Sequence, residues 1–359
     1  MRPPSVGSGR WGWAALLLAM LSFGAAACVP VTPAPPTSFA PSPVAYNTDF
    51  PDPEVVLHDP DATSAVPDFR AFSTASSWSG RWPRVPVGHG STLGAWARGV
   101  PDALAEPLPA TWQATTRHRY WAPAVEPFGD SWVMYYTAPN ASAPDQCIGV
   151  AVADNVDGPY EPFGSGPIVC DFGYGGSIDP SVIVDPAGDA WLLWKNDGNC
   201  CNLATYIWSA PLAPDGLSLT GPASALIGVD QAWEDGSSGG REPWKRLIEG
   251  PAMVFADGAY WLFYSANWWD SSEYAIGYAQ CTSPSGGCTK PRTTALVASG
   301  PHGAGPGGPD VVVDAGGQMW LAFHAWTPCC VGSRNVGWRS LFVSRLTFSG
   351  GKPVIGGGP

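Results

Sequence analysis

Lysine is nearly missing from this chain of 359 residues, which has only Lys195, Lys245, Lys290 and Lys352. With 18 Lys+Arg against 30 Asp+Glu the formal charge is −12, so there is no basic face for nucleic acid phosphates. Charged residues make up only 13 % and runs at helical period are few, which excludes a long helical protein. Five histidines (His58, His89, His118, His302, His324) leave little material for a Ser/His/Asp triad, and no triad signature is present. The Gly-rich stretch from Gly303 to Gly308 lacks the strand–helix setting of a phosphate loop and reads as turns. What is abundant points the other way. Gly 44, Pro 39 and Trp 19 exceed ordinary usage, and 45 % hydrophobic residues are ample for a large core. Turn formers between aromatic-rich runs predict a β-rich domain rather than a disordered chain.

Residues 1–27 carry Arg2 and Arg10, an apolar run from Trp11 to Met20, and small residues up to Ala27, the pattern of a cleavable export signal. The next residue, Cys28, resembles the acylated cysteine of a bacterial lipobox; ordinary cleavage nearby is the alternative. Residues 28–45 are rich in Pro, Ser and Thr and read as a tether. Eight further cysteines, an even number, suit an oxidising compartment. Cys281 and Cys288 flank a short turn and are expected to pair, and Cys147 can pair with Cys170. The vicinal pairs Cys200-Cys201 and Cys329-Cys330 can each close on themselves or bridge one another. They lack the spacing of a zinc knuckle.

One phrase recurs five times: a small or acidic residue, Pro, one residue, an apolar pair, a Gly or Asp turn, then an aromatic-rich strand. Its prolines are Pro53, Pro123, Pro180, Pro251 and Pro309. Five strand-turn-strand units at this spacing, each with two weaker strands behind it, predict an all-β, five-bladed β-propeller of four-stranded blades over residues 46–350, with a Gly/Pro-rich tail at 351–359. A β-sandwich would not need the repetition. In a propeller the starts of the inner strands converge on one cavity, which brings Asp52, Asp179 and Glu249 together at its mouth, while Ala122 and Gly308 show that the fold needs no acid there. Converging carboxylates repel and desolvate one another, an arrangement that suits acid/base chemistry better than stability.

These phrases resemble glycoside hydrolase family 43, five-bladed enzymes acting on arabinose- and xylose-containing polymers. The resemblance rests on DFPDP (49–53), YWAP (120–123), IDPSVIVDPAGDAWLLWK (178–195), EGPAMVFADGAYWLFYS (249–265) and GPGGPDVVVDAGGQMWLAFHAW (305–326). It implies Asp52 as the general base that activates water, Glu249 as the general acid, and Asp179 as the acid that orients the donor and keeps it protonated. In an inverting enzyme base and acid stand roughly 6.5–9.5 Å apart. The resemblance also places His324 in the axial cavity facing a calcium ion, mostly through water; no cofactor is required for the chemistry. Trp121 is expected to stack on a sugar face, Arg339 to reach sugar and acid with Arg334 as its competitor, and Trp268 and Trp269 to serve outer subsites. Glu54 and Ala124 depart from the family pattern and would alter subsite shape, and Asp310 would add a fourth charge. The implied protein is an exported, lipid-anchored monomer. It would cleave α-L-arabinofuranosyl or β-D-xylosyl linkages in plant polysaccharide with inversion, touching membrane through its anchor only and binding no nucleic acid. Two alternatives are a non-catalytic carbohydrate-binding propeller and a structural propeller that binds protein.

Overall fold

The computed structural model describes residues 44–58, 68–75, 83–100, 102–105, 112–114, 119–237, 239–300, 303–327, 331–332 and 337–359. The leader, Cys28, nearly all of the tether, Cys329, Cys330 and Arg334 lie outside the described residues.

Five antiparallel sheets follow one another along the chain as the blades of a propeller. Blade one comprises β2 (Glu54–Leu57), β3 (Phe69–Phe72), β4 (Val87–Thr92) and β5 (Ala95–Arg98). Blade two comprises β6 (Trp121–Phe128), β7 (Ser131–Pro139), β8 (Gln146–Ala153) and β9 (Glu161–Phe163). Blade three comprises β10 (Ser177–Val184), β11 (Ala190–Asn196), β12 (Tyr206–Pro211) and β13 (Ser224–Gly228). Blade four has β14 (Ile248–Ala256), β15 (Ala259–Ala266) and β16 (Ala275–Cys281). Blade five has β17 (Ala304–Val313), β18 (Met319–Thr327) and β19 (Trp338–Phe348). Its outer edge is completed from both ends of the chain, because β1 (Val44–Tyr46) and β20 (Pro353–Ile355) both pair with β19.

The core is divided into five slices, one between each pair of neighbouring blades. Strand alternation explains why the second strands are so aromatic. On β15, Leu262 and Tyr264 pack toward blade three while Trp261 and Phe263 pack toward blade five. On β18, Trp320 and Ala322 face blade one, and Leu321 and Phe323 face blade four. Successive side chains point to opposite faces, and here both faces are interior, so the polar half of the usual alternation is replaced by apolar residues.

Three details differ from the expectation. Blade four has three strands among the described residues. Beyond Cys281 the chain is rich in Gly, Ser and Pro and makes only isolated bridges, such as Gln280 with Thr289. Gly303 to Gly308 is not a run of turns, since Ala304 onward belongs to β17. Glycine is needed there for another reason: Gly305 and Gly308 take left-handed φ values of 56° and 58°, and a Cβ on Gly307 would collide with the Tyr274 ring. Finally, the propeller includes Val44 and Ala45 from the expected tether and Pro353–Ile355 from the expected tail.

Among the described residues three disulfides join Cys147–Cys170, Cys281–Cys288 and the adjacent Cys200–Cys201. The vicinal pair therefore closes on itself.

Candidate active site

Each inner strand begins with the same distortion. Asp52, Ala122, Asp179, Gly250 and Gly308, each immediately before a proline, have φ of 50°, 41°, 54°, 56° and 58°. In β6, β10, β14 and β17 the ladder register shifts at this point. A left-handed backbone costs L-residues about 1–2 kcal/mol, with Asp among those that tolerate it best. Two of the three non-glycine residues that carry this strain are candidate catalytic acids, and such outliers concentrate at functional sites.

A ring of cross-blade hydrogen bonds fixes these bulges. The second strand of one blade ends in a side chain that accepts the backbone N–H of the slot residue on the next blade. Thr74 Oγ1 accepts from Ala122 at 2.8 Å, Thr137 Oγ1 from Asp179 at 3.1 Å, and Ser265 Oγ from Gly308 at 2.9 Å. His324 Nδ1 closes the ring by accepting from Asp52 at 3.0 Å.

Above the ring lies a cavity of about 510 Å³ lined by Asp52, Asp179, Glu249, Trp121 and Arg339 among others. The three acids thus meet in one hollow as the repeat predicts. Asp52 is held through Oδ2, which accepts from Thr74 Oγ1 at 2.6 Å with Arg339 Nη1 at 3.8 Å. Asp179 Oδ2 accepts the Gly250 N–H at 3.1 Å. Burial, with the charges of Glu249 and Asp52, pushes the Asp179 carboxyl well above the usual carboxylate range, against the opposing pull of Lys195. Glu249 accepts from Lys195 Nζ at 2.9 Å through Oε2 and from Tyr274 Oη at 2.8 Å through Oε1. Burial and the Glu249 and Asp52 charges raise the Tyr274 phenol well above its ordinary value, so it remains a donor.

The aromatic wall is also present. Arg339 stacks over Trp269 at 4.9 Å and Trp326 at 5.8 Å, which places its head beside Asp52. Trp121 lines the cavity half-buried with Arg119 at 5.5 Å from its ring, and Trp268 and Trp269 line it as well.

His324 is fully buried, and burial, together with the Arg339 charge, lowers its pKa well below normal. The neutral ring accepts from Asp52 at Nδ1, so its hydrogen sits on Nε2, which has no protein partner among the described residues. This tautomer leaves a buried N–H without a protein partner, a donor that cannot ligate calcium directly, so any contact with an ion would run through water.

Glu54 and Asp310 reach past the mouth. Glu54 Oε1 accepts the Val125 N–H at 3.1 Å and Asp310 Oδ2 the Val55 N–H at 2.8 Å, so each carboxylate ties neighbouring inner strands together. Burial and Asp310 raise Glu54 well above its ordinary value. Burial and Asp310 likewise raise Glu126 to about 7, and burial raises Asp310 to about 6 against two backbone N–H groups. Asp310 therefore belongs to a second acidic group rather than to the trio of Asp52, Asp179 and Glu249.

Sequence reading did not single out Thr74, Lys195 or Tyr274. Only Lys195 left a trace, being one of four lysines and the last residue of a phrase already marked by Asp179.

Fold and site together define a propeller whose strained inner-strand ends gather three carboxylates under a wall of tryptophans, a carbohydrate-enzyme architecture. The chain belongs to glycosyl hydrolases family 43, whose family model matches residues 46–353. It is 30 % identical over 112 residues to an extracellular endo-alpha-(1->5)-L-arabinanase of Thermotoga petrophila, a match spanning 26 % of this chain and 23 % of that protein. The chain thus spans about a quarter of that relative's length. Among solved structures, a thermostable family-43 glycoside hydrolase superposes with a TM-score of 0.70 at 21 % identity, over 86 % of this chain and 92 % of that one. An endo-1,4-beta-xylanase from Bacteroides thetaiotaomicron gives 0.68 at 23 %, over 88 % and 96 %.

Proposed function

We propose that this protein is an inverting glycoside hydrolase acting on α-L-arabinofuranosyl or β-D-xylosyl linkages of plant polysaccharides such as arabinan and arabinoxylan, or on their oligosaccharides. The observation that carries the reading is the meeting of Asp52, Asp179 and Glu249 in one cavity, each with its own fixed partners. Asp52, oriented by Thr74, takes a proton from water as the water oxygen bonds to the anomeric carbon. Glu249 gives a proton to the glycosidic oxygen as the carbon–oxygen bond breaks. Asp179, whose carboxyl is raised by burial and by its acidic neighbours, orients the donor and keeps it protonated. Trp121, Trp268 and Trp269 offer flat apolar faces to sugar rings, and Arg339 stands beside the base. The three disulfides among the described residues are consistent with export; the protein would be anchored through Cys28 and act as a monomer. A calcium ion on the axis would be held through water at His324 and would have an electrostatic role.

Asp52→Ala and Glu249→Ala should each lower turnover on aryl arabinofuranoside or xyloside by orders of magnitude with little change in melting temperature. Retained activity in both would rule the assignment out. Sugar binding by the unaltered protein without any release of reducing ends would favour a binding module.

A further inference from the structure

The cross-blade ring has one exception. In β11 the position that pairs with Ile178 corresponds to Thr137 opposite Trp121, Ser265 opposite Glu249 and His324 opposite Gly307. On blades one, two, four and five a hydroxyl or imidazole there accepts a backbone N–H from the next blade. On blade three it is Lys195, an ammonium with no lone pair to offer. The Gly250 N–H goes to Asp179 Oδ2 instead. Lys195 is fully buried and donates to Glu249 Oε2 at 2.9 Å and Asn199 Oδ1 at 2.6 Å, with Asp197 Oδ1 at 3.7 Å. Burial works against its charge, but Glu249, Asp197 and Asp179 outweigh that and raise its pKa, so it stays an ammonium.

A fold that can use threonine or serine here has no structural need for an enclosed charge. We propose that Lys195 is a positioning residue for proton donation. Its ammonium holds the Glu249 carboxyl in place and stabilises the carboxylate that forms there as the proton passes to the leaving oxygen. Asn199, on the turn closed by Cys200–Cys201, aims the ammonium, and Tyr274 completes the cradle from blade four. The inference rests on Glu249 being the proton donor.

The charged and titratable groups around Glu249 are Lys195 and Asp197 on blade three, Asp179 at the adjoining bulge and Tyr274 on blade four. Asp52 lies beyond, paired with Arg339, and Arg119 lies beside Asp197. Lys195 is the cation in direct contact. A donor must be protonated, so the basic limb of the kcat/KM profile reports its loss of a proton. An opposite charge at this range favours the ionised form by about 1–3 pH units. Lys195→Met should therefore move the basic limb upward by one unit or more and lower kcat at least tenfold. Asp197→Asn removes a competing negative charge and should move the same limb downward.

The experiment measures both profiles, with Glu249→Ala alongside, on whichever nitrophenyl pentoside the unaltered enzyme hydrolyses faster. Opposite shifts in the two variants support the inference. Basic limbs that stay in place or move together overturn it, even if activity falls, because a merely structural lysine would lower activity without moving a limb. If Lys195→Met does not fold, Asp197→Asn decides alone: an unmoved or raised limb overturns it. Retained activity in Glu249→Ala would instead refute the donor assignment on which it rests.

Discussion

Glu126→Gln should stabilise the protein, but only at neutral and alkaline pH. Glu126 sits near the far end of β6 beside Asp310, and burial with that neighbour raises its pKa from 4.5 to about 7. A raised carboxyl pKa means that the folded state favours the protonated form. Its stabilising contribution is complete below about pH 4.5, declines as pH rises toward 7 and is absent above. At 1.36 kcal/mol per unit, the displacement corresponds to about 3 kcal/mol, which partial solvent access reduces to about 2 kcal/mol. Guanidinium unfolding followed by tryptophan fluorescence, at steps from pH 4.5 to 8.5 with chelator present, reads this directly. The variant should match the unaltered protein at pH 4.5 and exceed it by about 2 kcal/mol at pH 8. The chelator removes divalent cations that could neutralise the group. Equal effects at every pH, or loss of stability at pH 8, would refute the reasoning.

Two further outcomes follow from the cavity. Thr74→Val deprives Asp52 of its 2.6 Å hydrogen bond and leaves the Ala122 N–H without its acceptor. It should cost about 1–3 kcal/mol of stability and lower kcat more than it raises KM, as denaturation and steady-state kinetics would show. Arg339→Lys keeps the charge but loses the planar stack on Trp269 and Trp326. It should weaken kcat/KM about tenfold or more, equivalent to at least 1.4 kcal/mol, without moving the melting temperature by more than a few degrees.

The parts of this molecule that could be read from sequence are those written into the repeat. The slot before each proline sets the bulge, so Asp52 and Asp179 announce themselves, and Glu249 follows one residue earlier because Gly250 takes the left-handed position in its blade. Their partners were hidden for a geometric reason. Thr74, Lys195 and His324 stand at the ends of second strands, and what each bonds is decided by which blade comes next around the axis. His324 was found through the family's phrase, whereas Thr74 carries no such phrase. Tyr274 lies in the segment before β16 and reaches Glu249 because Gly307 leaves room for its ring. Glu54 and Asp310 were visible as acids near the mouth, but alternation along β2 and the bulge in β17 send them deeper, to bridge neighbouring inner strands. The outer strands of the blades, variable in composition, left too weak a pattern to show that blade four has three strands among the described residues.

In the proposed mechanism Asp52 activates water for direct displacement while Glu249 protonates the departing oxygen on the other side of the sugar. Proton NMR of the first sugar released, recorded before mutarotation, tests this most directly. The anomeric configuration of the fresh product should be opposite to that of the substrate linkage; product released first with the original configuration would rule out direct displacement by water.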